Sequence, residues 1–266
     1  MSHYRAGNRA AALCCFAGRE NSILKTGALF YLLFILLFDC SDINQHNPFG
    51  QPIIVFTFDD AHKSIIENAF PLFEHFGYVA TNYVPIDFIK KPWNMNVQDL
   101  IFLEEHGWET GGHGKTHADL NQIGLDSART EIYLSWKFLR DHQLSHASFA
   151  LPNGHGNEQV RCCIRDYFCS IRSSEDYKMS CPIDPLWLGY YDARPSDGAS
   201  GLQCRILRGI QNHECLIIIG FHQVIADKYT MPRAITPQEL HDTLEFVKKR
   251  HLPVMTISQA IAALAD

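Results

Sequence analysis

The chain has 266 residues, of which 46% are hydrophobic and 20% charged, with a formal net charge of −6. This length suits one large domain, and the composition is that of a packed globular protein rather than a disordered or fibrous one. With an acidic balance and no basic stripe of interleaved aromatics, nucleic acid is not an expected partner.

The first residues read differently from the rest. Arg5, Arg9, Arg19 and Lys25 precede the apolar run Ala28–Phe38, which Asp39-Cys40-Ser41-Asp42 closes. A free-standing bilayer-spanning helix needs about 20 apolar residues, more than this run supplies. Basic residues before a short apolar core fit an export signal better. Residues 1–46 are therefore read as an export signal or lipoprotein-like leader with a linker. That reading predicts a protein of the cell envelope or periplasm. Cys40 lies just past the core, where a bacterial lipoprotein carries its lipidated cysteine, which would attach the protein to a membrane. Asp39 stands where that signal has a small residue. A buried N-terminal helix in a cytoplasmic protein is the alternative.

Beyond a Pro/Gly-containing linker, Ile53–Phe58 is a β-branched, apolar run that predicts a buried strand closed by two aspartates. Apolar spacing predicts a helix over Lys63–Phe76, bent at Pro71 and ended by Gly77. A strand over Tyr78–Val84, a helix over Val97–His106 and a strand over Trp108–Thr110 follow. Next come a helix over Leu125–His142, a strand over Ala147–Leu151, a helix over Glu158–Asp166 and a strand over Tyr167–Arg172. Ser173–Gly201 is irregular. Leu216–Phe221 is the clearest buried strand, Thr236-Pro237 opens a helix to His251, and Pro253–Thr256 and Ile257–Leu264 read as a last strand and helix. This alternation predicts an α/β fold, a distorted (β/α) barrel of about seven parallel strands, with the catalytic domain over residues 47–266. Chemistry in such a barrel gathers at the carboxyl ends of the strands.

Asp59, Asp60, His113, Pro152 and His222 all follow predicted strands. Asp59 and Asp60 would point to opposite faces of an ideal strand, but a turn at its end lets both reach one cavity. The alternative is a pair of exposed loop acids or a helix N-cap. His113 and His117 have the i, i+4 spacing that puts two imidazoles on one helical face. Two imidazoles and a carboxylate leave open positions on a metal, as catalysis requires. His222 alone reads equally as a satisfied core histidine. Cys162, Cys163, Cys169, Cys181, Cys204 and Cys215 lie in the body of the chain. In an exported domain they can form three disulfides of any connectivity; otherwise they are small buried hydrophobes.

Together the segments resemble the polysaccharide deacetylases, the NodB-homology family of carbohydrate esterases (family 4). Thr57-Phe58-Asp59-Asp60 is similar to the first family motif, with Ala61 where glycine is usual. His113-Gly-Lys-Thr-His117 resembles the second, with Gly114 in place of a hydroxyl residue. Phe149-Ala-Leu-Pro-Asn-Gly154 resembles the third, and Ile219-Gly-Phe-His222 the fifth. The resemblance spans about residues 52–262. It implies that Asp60, His113 and His117 bind a divalent metal, that Asp59 is the catalytic base, and that His222 is the general acid. Asn153 and Pro152 would border the substrate, with the Asn153 N–H facing the oxyanion. Zinc suits this donor set, with cobalt or nickel as alternatives.

The implied reaction removes N-acetyl groups from a polysaccharide such as peptidoglycan, a chitin-like polymer or an exopolysaccharide. Three features depart from the pattern. Ala150 stands where many members carry an arginine that steadies the base, and Asn153 replaces an aromatic. The fourth motif has only a weak substitute in Tyr190-Tyr-Asp-Ala-Arg194, where Asp192 or Arg194 would support His222 or the substrate. Trp93, Trp108 and Trp187 are candidate sugar-stacking residues or plain core. Two other readings stay open: a metal-dependent amidase on a small non-sugar amide, and a glycan-binding protein with a weakened site.

Overall fold

A computed structural model describes residues 47–231 and 233–265; the leader, including Cys40, lies outside the described residues. The strands β1 (Ile53–Asp59), β2 (Thr81–Val84), β3 (Glu109–Gly112), β4 (Ser148–Ala150), β5 (Ser170–Arg172), β6 (Tyr191–Asp192) and β7 (Leu216–Phe221) form one sheet. Every pairing in it is parallel, in the order β5-β4-β3-β2-β1-β7-β6. The sheet curls into a distorted (β/α) barrel. Seven helices accompany the described strands: α1 (Phe70–Phe76), α2 (Val97–Glu105), α3 (Leu125–Asp141), α4 (Glu158–Arg165), α5 (Gly198–Gln211), α6 (Pro237–Lys249) and α7 (Ile257–Ala265). None of the described helices is long and apolar enough to cross a membrane.

Strand alternation divides the core in two. Ile54, Phe56 and Phe58 of β1 and Ile217, Ile219 and Phe221 of β7 belong to one cluster, shared with helix residues such as Phe73, Ile132, Ile206 and Leu244. Ile53 and Val55, with Leu216 and Ile218, point the other way and pack with Tyr83, Ala150, Tyr190 and the α7 residues Ile257 and Ala260. Burial of each such side chain contributes about 1.5–3 kcal/mol, and both faces of β1 are fully covered. Asp59 continues the inner row. The register pairs Phe58 with Phe221, so Asp59 and His222 leave β1 and β7 at the same height.

Local signals act where the chain carries them. Thr236 and Glu239 form a reciprocal capping box at α6, with Pro237 in its first turn, and Asn96 and Asp99 do the same at α2. The bend expected at Pro71 is a π-helical stretch, Ile65–Ala69, running into α1.

Three expectations are corrected. Pro253–Thr256 is not a strand; only Val254 bridges Ile54, and the seventh place in the sheet is taken by β6, inside the segment read as irregular. Helix α5 was not anticipated. Its buried face is Leu202, Arg205, Ile206 and Gly209, a helical period interrupted by a charge and a glycine. Arg205 is tolerated there because it pairs with Glu214 at 3.0 Å and Asp176 at 2.9 Å. Neither reading of the cysteines holds throughout: among the described residues Cys181 is bonded to Cys215, while Cys162, Cys163 and Cys204 are free thiols, of which Cys162 and Cys204 are exposed.

Candidate active site

β1 ends at Asp59, after which Asp60 (φ 69) and Ala61 (φ 52) adopt left-handed backbone conformations. This costs a non-glycine residue about 1–2 kcal/mol, and it turns the second carboxylate back toward the first. The segment around Asn94 holds the turn. Asn94 Nδ2 donates to the Asp60 carbonyl at 2.5 Å, the Met95 N–H to Ala61 at 2.7 Å, and the Lys63 N–H to Trp93 at 3.0 Å.

His113 and His117 come together, but not on a helix. Residues 113–117 are a loop after β3, with left-handed conformations at Gly114 (φ 74) and His117 (φ 66). The loop folds back so that the imidazole centroids lie 4.8 Å apart. Its support is Glu131 of α3, a residue the sequence did not single out. Glu131 Oε2 accepts the N–H groups of Lys115 and Thr116 at 2.8 and 2.7 Å, and Oε1 accepts the Thr116 hydroxyl at 3.0 Å. Glu131→Ala is expected to lower the affinity for a divalent metal about 10–100-fold, as loss of a partner that orients a ligand loop does. Titration against a chromophoric chelator measures it.

His113 is 2% exposed, and its Nδ1 donates to the Ala150 carbonyl at 2.8 Å, which leaves Nε2 as the free lone pair. Burial pushes its pKa down to about 4; the charges of Asp59 and Asp60 oppose the shift and that of His117 adds to it. The imidazole is therefore neutral at pH 7, as a ligand must be. One donor atom each of Asp60, His113 and His117 lies within 4.8 Å of the others. Asp60 Oδ1, 3.6 Å from His117 Nε2, is buried and accepts no hydrogen bond. An unsatisfied buried carboxylate oxygen is costly, and a divalent cation would satisfy it. These residues fit a metal.

Asp59 faces this cluster. Burial alone would raise its pKa, but Arg172 first, then His113 and His222, hold it at about 2. Arg172, at the end of β5, was missed in the sequence. Its Nη2 donates to both Asp59 carboxylate oxygens, at 2.9 and 2.7 Å, and its side chain is 2% exposed. His222 Nε2 stands 3.9 Å from Asp59 and 4.0 Å from Asp60.

Asp192 and Arg194, expected to support His222 or the substrate, both line the cleft, but neither is bonded to His222. Asp192 pairs with Arg233 at 3.2 Å, Arg233 Nη1 approaches His222 Nε2 at 3.5 Å, and His222 Nδ1 is buried without a hydrogen-bond partner. Asn153, in a left-handed conformation (φ 58), borders the same cleft of about 210 Å³, whereas Pro152 is buried behind it. A larger cavity of about 360 Å³, beside Arg161, Tyr177 and Trp187, contains none of these groups. We place the candidate site in the smaller cleft, because there, among the described residues, Asp59 and His222 meet the Asp60–His113–His117 cluster. Of the three tryptophans that are candidates for sugar stacking, Trp108 is core at 3% exposure, Trp187 lies under Arg161, and Trp93 is 58% exposed.

Residues 46–167 match the polysaccharide deacetylase family model. The match covers just under half of the chain and supports a polysaccharide deacetylase domain. The matched segment contains both aspartates and both loop histidines but stops short of Arg172 and His222. Curated protein sequences give no match.

Among solved structures, the chain is similar to the Xyl-CE4 domain of a multidomain xylanase from the hindgut metagenome of Trinervitermes trinervoides. The identity is 16%, with 80% of this chain and 90% of that one covered and a TM-score of 0.57. It is also similar to the peptidoglycan deacetylase PdaC of Bacillus subtilis, at 16% identity, 80% and 91% coverage and a TM-score of 0.54. A third similar structure is a family 4 carbohydrate esterase pseudoenzyme from Bacillus anthracis, at 13% identity, 81% and 66% coverage and a TM-score of 0.58. At such identities the likeness establishes the fold. A pseudoenzyme among these structures means that activity has to be argued from the site.

Proposed function

We propose that the protein is a metal-dependent hydrolase that removes N-acetyl groups from an N-acetylated polysaccharide. The observation that carries this reading is the convergence, in one cleft, of the Asp60–His113–His117 cluster with an ionised Asp59 and with His222. Zinc suits the two imidazoles and one carboxylate, with cobalt or nickel as alternatives. Bound there, the ion would polarise the acetamide carbonyl and acidify the attacking water. That contribution is needed, because a carboxylate with a pKa near 2 is a weak base.

Asp59 takes the proton of the attacking water, and Arg172 keeps its carboxylate charged and oriented. His222, on the other side of Asp59, delivers a proton to the departing amine, so that the sugar leaves as a neutral amine and not an amide anion. Asn153 borders the cleft where the acetyl oxygen would lie and supports the oxyanion. Exposed Trp93 belongs to the segment that pins the turn after Asp59, so it offers a stacking face for a sugar ring beside the chemistry. Trp93→Ala is expected to raise KM for an oligosaccharide several-fold and to leave kcat unchanged, as steady-state kinetics would register.

An envelope glycan as substrate agrees with the export-signal reading of residues 1–46, and the Cys181–Cys215 disulfide suits an oxidising compartment. The test is acetate release from N-acetylglucosamine oligomers and peptidoglycan, set beside release from small acetamides. Release from the glycans alone supports the proposal. Turnover of small amides alone would make the protein an amidase, and glycan binding without any release would make it a binding protein.

A further inference from the structure

A chain of net charge −6 lines its cleft with three arginines, Arg172, Arg194 and Arg233. Among the described residues, no carboxylate in that lining lacks a cationic partner. Arg172 holds Asp59 at 2.7 Å and Arg233 holds Asp192 at 3.2 Å, while Asp60 belongs to the ligand cluster. Beyond the cluster the lining runs through Asn153, His155, Ser173 and Ser174, none of them acidic. Arg194 is the cation left over. It is exposed and makes no ion pair among the described residues, although acids outnumber lysines and arginines in the chain by 29 to 23.

Its backbone is held in place. The Arg194 N–H donates to Asp197 Oδ2 at 2.7 Å, and its carbonyl accepts the Asp197 N–H at 3.0 Å. The β6–β7 register sets Asp192 opposite Gly220, and the Ala193 N–H donates to the Gly220 carbonyl at 2.9 Å. Arg194 is thereby carried to the height at which His222 leaves β7. His222 serves the departing nitrogen, so a group beside it meets the sugar side of the amide and not the acetyl side. We infer that Arg194, with Arg233 in the same cleft, selects a glycan whose sugars carry carboxylates. The inference rests on the deacetylase reading of the site. A guanidinium presents a planar fork that matches a carboxylate with two hydrogen bonds. A cleft with an excess of one charge also concentrates ligands of the other. The carboxylate belongs either to a uronic acid in the polymer or to an acidic ether on the amino sugar, and both offer Arg194 the same group.

The test sets two acidic glycans against neutral chitin oligomers of the same length. Hyaluronan oligosaccharides supply the uronic acid, and peptide-free peptidoglycan strands supply the acidic ether. The parent, Arg194→Gln and Arg194→Lys are each supplied with zinc; acetate release gives kcat/KM, and equilibrium binding gives Kd. The parent is expected to prefer at least one acidic glycan about ten-fold, mainly through KM, as one hydrogen bond to a charged group allows. Whichever acidic glycan is preferred identifies the source of the carboxylate. Arg194→Gln should abolish the preference, whereas Arg194→Lys, which keeps the charge but not the fork, should retain part of it. A parent that treats acidic and neutral glycans alike overturns the inference, as does a preference that survives Arg194→Gln or a loss equal on all three glycans. If no glycan releases acetate, the deacetylase reading fails and binding decides this inference separately. A preference in Kd that Arg194→Gln abolishes then supports it, and equal affinities overturn it.

Discussion

Asp59→Asn is expected to lower kcat for deacetylation about 1,000-fold while one zinc per chain stays bound. Positioned proton transfer contributes about 10²–10⁴-fold, and asparagine cannot accept the proton of the attacking water. The ligand cluster is untouched, because Asp60, and not Asp59, lies with His113 and His117. The same substitution leaves the buried Arg172 cation without its counter-charge. Breaking a buried pair on one side costs about 3–5 kcal/mol, so the variant should also melt at a lower temperature. Kinetics, metal analysis and thermal unfolding of one preparation separate the two effects. Loss of zinc together with activity would move Asp59 from base to ligand.

His113→Gln should lower zinc affinity by more than the 10–100-fold expected of an outer-shell change, and deacetylation should fall with it. A pH signature accompanies this substitution. Folded His113 binds its proton only near pH 4, against an ordinary value of 6.5. Between those values the unfolded chain holds more protons, so the stability of the metal-free protein falls as pH drops from about 6.5 towards 4. The drop contributed by this residue is on the order of 3 kcal/mol. Asp59 adds an acid-side loss only below its ordinary 3.8, in a lower window. Urea midpoints of the metal-free parent, taken across this pH range, should slope where those of His113→Gln run flatter. Equal slopes would mean that His113 is not held neutral by burial.

Much of the fold is legible because central parallel strands advertise themselves. Ile53–Phe58 and Leu216–Phe221 are covered on both faces and therefore almost wholly apolar, Thr57 being the one polar side chain, and the polar residues just past them mark the rim of the candidate site. β6 is two residues long, and no periodicity can be read from so short a piece. α5 was hidden because Arg205 and Gly209 occupy its buried stripe, one neutralised by partners elsewhere in the chain and the other packed for lack of a side chain. The four-residue spacing of His113 and His117 fits a helix as well as a loop. Left-handed residues chose the loop, and only the folded chain displays them. Arg172 could not be found by spacing at all, since its partner lies 113 residues away and the two meet across the curled sheet, from β5 to β1. Charge at the end of an apolar strand was the one available hint, the same hint that singled out Asp59 and His222.

Acetate release from N-acetylglucosamine oligomers, measured before chelation, after chelation and after zinc is returned, tests the metal-dependent deacetylase most directly. Release that disappears with the chelator and returns with zinc, in the parent and not in Asp59→Asn, is the expected result. Release indifferent to chelation, or undiminished in Asp59→Asn, would contradict it.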